Sequence, residues 1–156
     1  MPQPTVLFVC VKNGGKSQVA AGLMRRAAGD AVTVASAGTR AGAELNALAV
    51  QSLAEVGVDI GAERPQQLTD DLVRAADLVV VLGREAEVET VDGTPVEVWE
   101  TDEPSLRGIE GVERMRLVRD DIARRVTALA HRLQAGAPAG TSRPEAVTRA
   151  TEGSDR

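Results

Sequence analysis

A chain of 156 residues, 43% of them hydrophobic, is long enough for one domain with a real core and short for two. Its formal net charge of −5 and scattered arginines exclude a general nucleic-acid surface, which needs a basic face. A single cysteine excludes an internal disulfide, and no Cys/His cluster has metal-ligand spacing.

No stretch approaches the about 20 apolar residues of a membrane span, and the first residues lack a charged-then-apolar leader pattern, so a cytoplasmic protein away from the membrane is expected. Of the 18 basic residues only two are lysines, Lys12 and Lys16. Both fall in one loop, which marks that loop as selected for function.

Thr5 to Val9 is a short apolar, β-branched run that gives way to glycines and then to helical spacing, which predicts a buried strand feeding a helix, with Cys10 at the strand's end. Ala20, Leu23, Met24, Ala27 and Ala28 share one face of that helix, and Ser17 is placed to cap its first turn. Ala31 to Ala35 predicts a second strand. Leu45, Leu48, Ala49, Ser52, Leu53 and Val56 predict a second amphipathic helix ending near Gly57. Thr69 followed by Asp70 and Asp71 marks a helix start, with negative charge where the dipole favours it and a short helix to Ala76. Leu78 to Leu82 is apolar throughout, as a parallel strand covered on both faces must be, and Pro95 to Trp99 predicts a fourth strand at an edge.

Met115, Val118, Ile122, Val126, Leu129 and Leu133 form the stripe of a long last helix, with Glu110/Arg114, Asp120/Arg124 and Asp121/Arg125 spaced as ion pairs on its outer face. That run of charge reads as a solvated helix face, and His131 beside it has no candidate partner and receives no role. From Gly136 the composition turns to Ala, Gly, Pro, Ser, Thr and charge with no apolar period, so residues 136–156 are expected to be a disordered tail on a domain spanning 1–135. Alternating strands and helices predict an α/β fold: a small doubly wound, four-stranded parallel sheet flanked by helices, with ligands at the carboxyl ends of the strands. Cys10 lies at such an end.

The segment Cys10-Val11-Lys12-Asn13-Gly14-Gly15-Lys16-Ser17 has the makings of an anion cradle, in which successive backbone N–H groups and a helix N-terminus face one negative group. The same setting favours the thiolate form of Cys10, a nucleophile at the cradle's floor. Gly15-Lys16-Ser17 between strand and helix also matches the end of a nucleotide-binding G-x-x-x-x-G-K-[ST] loop. Its first glycine is Cys10 here, and no aspartate follows Leu82 to hold magnesium, which places nucleotide hydrolysis last.

These residues resemble the low-molecular-weight tyrosine phosphatases and related arsenate reductases, whose active-site loop reads C-x5-R-[ST] where this chain has C-x5-K-S. Asn13 matches the family's loop asparagine, Ser36-Ala37-Gly38-Thr39 its SAGT segment, and Asp102-Glu103-Pro104 falls at its acid loop. LAEVGVDI from Leu53 to Ile60, Pro65-Gln66-Gln67-Leu68 and WETDEP from Trp99 to Pro104 look like the arsenate reductase branch, so the resemblance spans about residues 5–133.

It implies Cys10 as nucleophile, Lys16 in the place of the family's oxyanion-gripping arginine, Asp102 or Glu103 as the acid, and Val11 to Ser17 as the oxyanion-binding loop. Asn13, Ser17 and Ser36 would support that loop. Two departures bear on catalysis. Lys16 offers a point charge instead of a planar fork. Glu103 stands before Pro104 where the family has aspartate, so Asp102 and Glu103 rank nearly equal.

The resemblance leaves three readings in order. First is an arsenate reductase of the thiol-transferase type, in which a small thiol such as mycothiol attacks the arseno-cysteine adduct and a glutaredoxin-like protein recycles it. It needs no bound cofactor, and with one cysteine the intramolecular disulfide cycle of thioredoxin-coupled members is closed. Second is a phosphatase of tyrosine phosphate or other monoesters, for which a chain with no tyrosine, one phenylalanine and one tryptophan provides a poor ring-binding wall. Third is a member that binds arsenate or phosphate with weakened catalysis.

Overall fold

β1 (Thr5–Cys10) is the second strand of a four-stranded, wholly parallel sheet, and its side chains alternate between two separate cores. The chain's computed structural model describes residues 3–89 and 91–135; the expected tail from residue 136 lies outside them. The order of elements is β1, α1 (Lys16–Ala28), β2 (Thr33–Gly38), α2 (Ala47–Ala54), α3 (Asp70–Ala75), β3 (Leu78–Leu82), β4 (Val96–Trp99) and α4 (Gly111–Gln134). In space the strands run β2-β1-β3-β4, so the chain reverses its winding about β1 and places the Cys10 end at the switch point. This is the expected doubly wound sheet.

The period-two alternation of β1 assigns its residues to faces. Val6 and Phe8 join the core built with α1, α2 and α4, including Val19, Met24, Leu53, Ile122 and Leu129. Leu7 and Val9 face the smaller core with Val73 and Ala76 from the α3 side. Every residue of β3 is buried, as the LVVVL run demands. β3 and β4 are parallel neighbours joined without a helix among the described residues; Ala86, Val88 and Val91 of the connection pack on the smaller core instead.

Several boundaries differ from the sequence expectation. The second strand begins at Thr33, because Gly29–Ala31 form a 3-10 turn first, and it extends to Gly38. α2 is shorter than the apolar stripe: Leu45 and Val56 lie outside it, and Asn46 caps it by accepting from Leu48 N and Ala49 N. Ala27 is exposed instead of buried, and the buried stripe of α1 continues through Val19 and Ala21. Thr69 does cap α3, accepting from Leu72 N at 3.2 Å.

On α4 only the Asp121/Arg125 pair of the three expected forms, at 3.3 Å. Asp120 pairs with Arg119, and Arg114 turns to Glu103. Asp121 is itself nearly buried and accepts from Asp102 N at 2.8 Å, anchoring the segment that carries Asp102 and Glu103 to the helix.

Candidate active site

The loop from Cys10 to Gly15 is turned inside out relative to a strand, because each of its carbonyls is drawn outward by a donor from elsewhere. Cys10 O accepts from Thr39 N at 3.0 Å, Val11 O from Arg40 N at 2.8 Å and Lys12 O from Gly42 N at 3.0 Å. Gly14 O accepts from Asn46 N at 2.8 Å and Gly15 O from Val19 N at 2.9 Å. The Asn13 carbonyl accepts from the Gln18 side chain at 3.1 Å. With the carbonyls outward, the N–H groups of the same peptides line the inner side, which is the requirement for holding an oxyanion.

Asn13 is the pivot of this curl. Its φ of 57° is left-handed, a conformation asparagine tolerates better than most residues. Its side chain is fully buried and bonded on both ends: Oδ1 accepts from Gln66 N at 2.9 Å and Gln18 Nε2 at 3.2 Å, and Nδ2 donates to Ser17 Oγ at 2.7 Å. Gly38 allows the SAGT segment to lie against the loop, since a Cβ there would sit 2.6 Å from Val11 O.

Cys10 is 8% exposed, at the floor. The Asn13 backbone N–H donates to its Sγ at 3.3 Å, and Ser17 Oγ lies 2.9 Å away. Because Ser17 Oγ accepts from Asn13, its own hydrogen is left for the sulfur, and two converging donors suit a thiolate acceptor. This corrects the expectation of Ser17 as a helix cap: α1 starts after Gly15 with no side-chain cap, and the hydroxyl is committed to Cys10 and Asn13. Ser36 is buried, but what it contributes is its carbonyl, which accepts from Gln66 Nε2 at 2.8 Å.

The two candidate acids are separated by their partners. Glu103 reaches the loop, where the Lys16 ammonium bonds its Oε1, and its other oxygen lies 3.6 Å from Arg114 Nη2. Asp102 instead receives both Arg107 guanidinium nitrogens, at 2.9 and 3.1 Å, and that pairing holds its carboxyl below the usual range. Glu103 is thus the carboxylate at the loop's cation, while Asp102 is held as a carboxylate on the turn at Pro104–Arg107. Lys12 is exposed on the rim. Lys16 stands beside Gly83, whose φ is +92° and whose missing Cβ would lie 3.6 Å from the ammonium.

The chain's two aromatic residues do not line the mouth. Phe8 and Trp99 are both buried, with ring centroids 5.9 Å apart at 56°, and the Trp99 N–H donates to Glu97 at 2.7 Å. No group of three or more His, Cys, Asp or Glu among the described residues could hold a metal, and no described helix is long and apolar enough to cross a membrane.

Gln18, Gln66, Gly38 and Arg114 belong to this site by contact, and none is assigned to it by the sequence, which gives Arg114 to Glu110 on the outer helix face. Gly38 and Gln66 do lie in the two segments, SAGT and PQQL, that carried the resemblance.

Comparison with known proteins places these features together. Residues 5–139 match the model of the family described as low molecular weight phosphotyrosine protein phosphatase. An arsenate reductase of Bacillus licheniformis is 33% identical over 135 residues, covering 81% of this chain and 94% of that one. A Ralstonia solanacearum protein named "Probable low molecular weight protein-tyrosine-phosphatase EpsP" is 41% identical over 80 residues, 51% of this chain and 55% of its own. Among solved structures, a thioredoxin-dependent arsenate reductase of Corynebacterium glutamicum superposes with a TM-score of 0.73 at 34% identity, over 86% of this chain. This chain spans 64% of that protein.

Proposed function

Because the chain belongs to the low molecular weight phosphotyrosine protein phosphatase family of enzymes, we propose that it is a cysteine-dependent arsenate reductase whose electrons come from outside the chain. The observation that carries this reading over ester hydrolysis is the burial of both aromatic residues. A phosphotyrosine ring would find no aromatic wall at the mouth, whereas arsenate needs only the cradle, the thiolate and a cation.

In this reading the Cys10 sulfur bonds arsenic as one arsenate oxygen, having taken two protons, leaves as water. Glu103, at the loop's cation, is the better placed of the two carboxylates to pass on a proton. Cys10 is the chain's one thiol, so no internal disulfide can follow. A small thiol such as mycothiol displaces Cys10 from arsenic, and the thiolate of a glutaredoxin-like protein attacks that thiol's sulfur. The S–As electron pair stays on arsenic, which goes from As(V) to As(III), while two thiol sulfurs become one disulfide. A thioredoxin as the final donor is the second reading, favoured by the name of the Corynebacterium glutamicum neighbour.

The test is arsenite production by the purified protein with each donor system in turn. Arsenite is expected with mycothiol and its redoxin, none with thioredoxin and its reductase alone, and none from Cys10→Ser with either. Arsenite with thioredoxin alone would transfer the reading to the second donor. Brisk hydrolysis of an aryl phosphate with no arsenite under any thiol would overturn it in favour of a phosphatase.

A further inference from the structure

Each oxygen of Glu103 faces a cation from a different element. Oε1 takes the ammonium of Lys16, the first residue of α1, and Oε2 lies 3.6 Å from the guanidinium of Arg114, at the end of the first turn of α4. The three side chains are 18%, 35% and 28% exposed, so the charges are partly withdrawn from solvent screening.

Nothing in α4 itself asks for Arg114 to point this way. A cation near a helix N-terminus opposes the macrodipole, and the same-face partner at four-residue spacing is Glu110, with which Arg114 makes no ion pair. The guanidinium turns instead to Glu103, the residue before the turn at Pro104–Arg107 and, among the described residues, the carboxylate paired with Lys16.

That carboxylate poses a problem for the cradle. While Glu103 holds Lys16, an arriving oxyanion meets a cation already neutralised and a like charge beside it. The geometry points to Arg114 as a positioning residue that takes Glu103 over when the oxyanion takes Lys16. The carboxylate keeps a counter-charge in both states: it relaxes from its Lys16 contact onto a guanidinium already 3.6 Å from its other oxygen, and Lys16 is released to the anion without stranding Glu103. Arg114 touches neither sulfur nor oxyanion; it acts through Glu103. The inference rests on the oxyanion reading above and concerns how that site opens to its anion.

The test is titration calorimetry with inorganic phosphate, and separately with arsenate, so that binding is read without turnover. Arg114→Met is expected to weaken phosphate binding by about tenfold, on the scale of one charge-assisted contact. Arg114→Lys should restore most of the loss, because a point charge within reach still receives the carboxylate. Glu103→Gln should tighten phosphate binding and abolish the effect of Arg114→Met in the double variant, which a merely structural role for Arg114 would not do. Unchanged affinity in Arg114→Met, or an equal loss in the Glu103→Gln background, would overturn the inference and leave the oxyanion reading standing. Failure of the parent protein to bind either anion would overturn the oxyanion reading itself, and this inference with it.

Discussion

A glycine decides how closely two segments can lie, and Gly38 is the case on which the cradle depends. Its absent Cβ would sit 2.6 Å from Val11 O and 2.9 Å from Lys12 C, both backbone atoms that cannot rotate aside. Gly38→Ala is therefore expected to push the loop off its floor and lower kcat/KM by about two orders of magnitude, the cost of a displacement near 1 Å at a reacting group. Circular dichroism should show an intact fold; full activity in the variant would mean the loop does not depend on this contact. Cys10 and the two glycines of the loop were legible from the sequence because their spacing along the chain is itself the signal, and Asn13 through the resemblance of the loop to a known one. Gly38 and Gln18 were not, since each matters through an atom of the loop that only the fold brings to it. The choice between Asp102 and Glu103 was equally hidden, because adjacent carboxylates differ only in which arginine or lysine the tertiary structure presents to them.

At the level of elements, α2 is braced to α4 by one carboxylate. Glu55, just past the end of α2, accepts from Arg116 at 2.6 Å and from Arg119 at 3.0 Å, and Arg119 also donates to the Ser52 carbonyl at 2.9 Å. The Arg116 hydrogen bonds in the first place, with Arg119 beside them, lower the Glu55 carboxyl from 4.5 to about 2. A carboxyl depressed on folding adds stability that is present above its unfolded value and is lost as pH falls through its folded one. The melting temperature of the parent should thus exceed that of Glu55→Gln at neutral pH, and the gap should close as pH falls from 4.5 to about 2. A gap that persists at the acid end would show that the brace is not electrostatic. The helices and strands were legible from periodicity, and where the edges moved, a local device explains it. Asn46 capped α2 late, and the turn at Gly29–Ala31 delayed β2. Of the pairings expected on α4, Glu110/Arg114 failed because helical spacing finds neighbours on the same helix and is blind to Glu103 arriving from a loop, and Asp120 took its chain neighbour Arg119 in place of Arg124.

For the molecule as a whole, the central strand ties the two cores to the site. Ile122 of α4 is fully buried in the larger core with Phe8 and Leu129, so Ile122→Ala should cost about 2–5 kcal/mol of unfolding free energy, read from denaturant midpoints at unchanged m-value. A loss under about 1 kcal/mol would mean that α4 repacks to fill the space. The same layering made the fold readable: apolar first and third strands and an amphipathic last helix each state which faces are covered, while the strand order β2-β1-β3-β4 is fixed only by the tertiary structure.

The scarcity of lysine has a consequence for how this molecule can be observed. Its only two ε-amines belong to Lys12 on the rim and Lys16 at the head of α1. Lysine carrying a nitrogen isotope would therefore give a side-chain lysine spectrum of two resonances, both from the loop around Cys10, with no lysine background from the rest of the chain. One would report the open rim and the other the contact with Glu103. Apart from the α-amine of the chain, an amine-directed label has only these two ε-amines to take it.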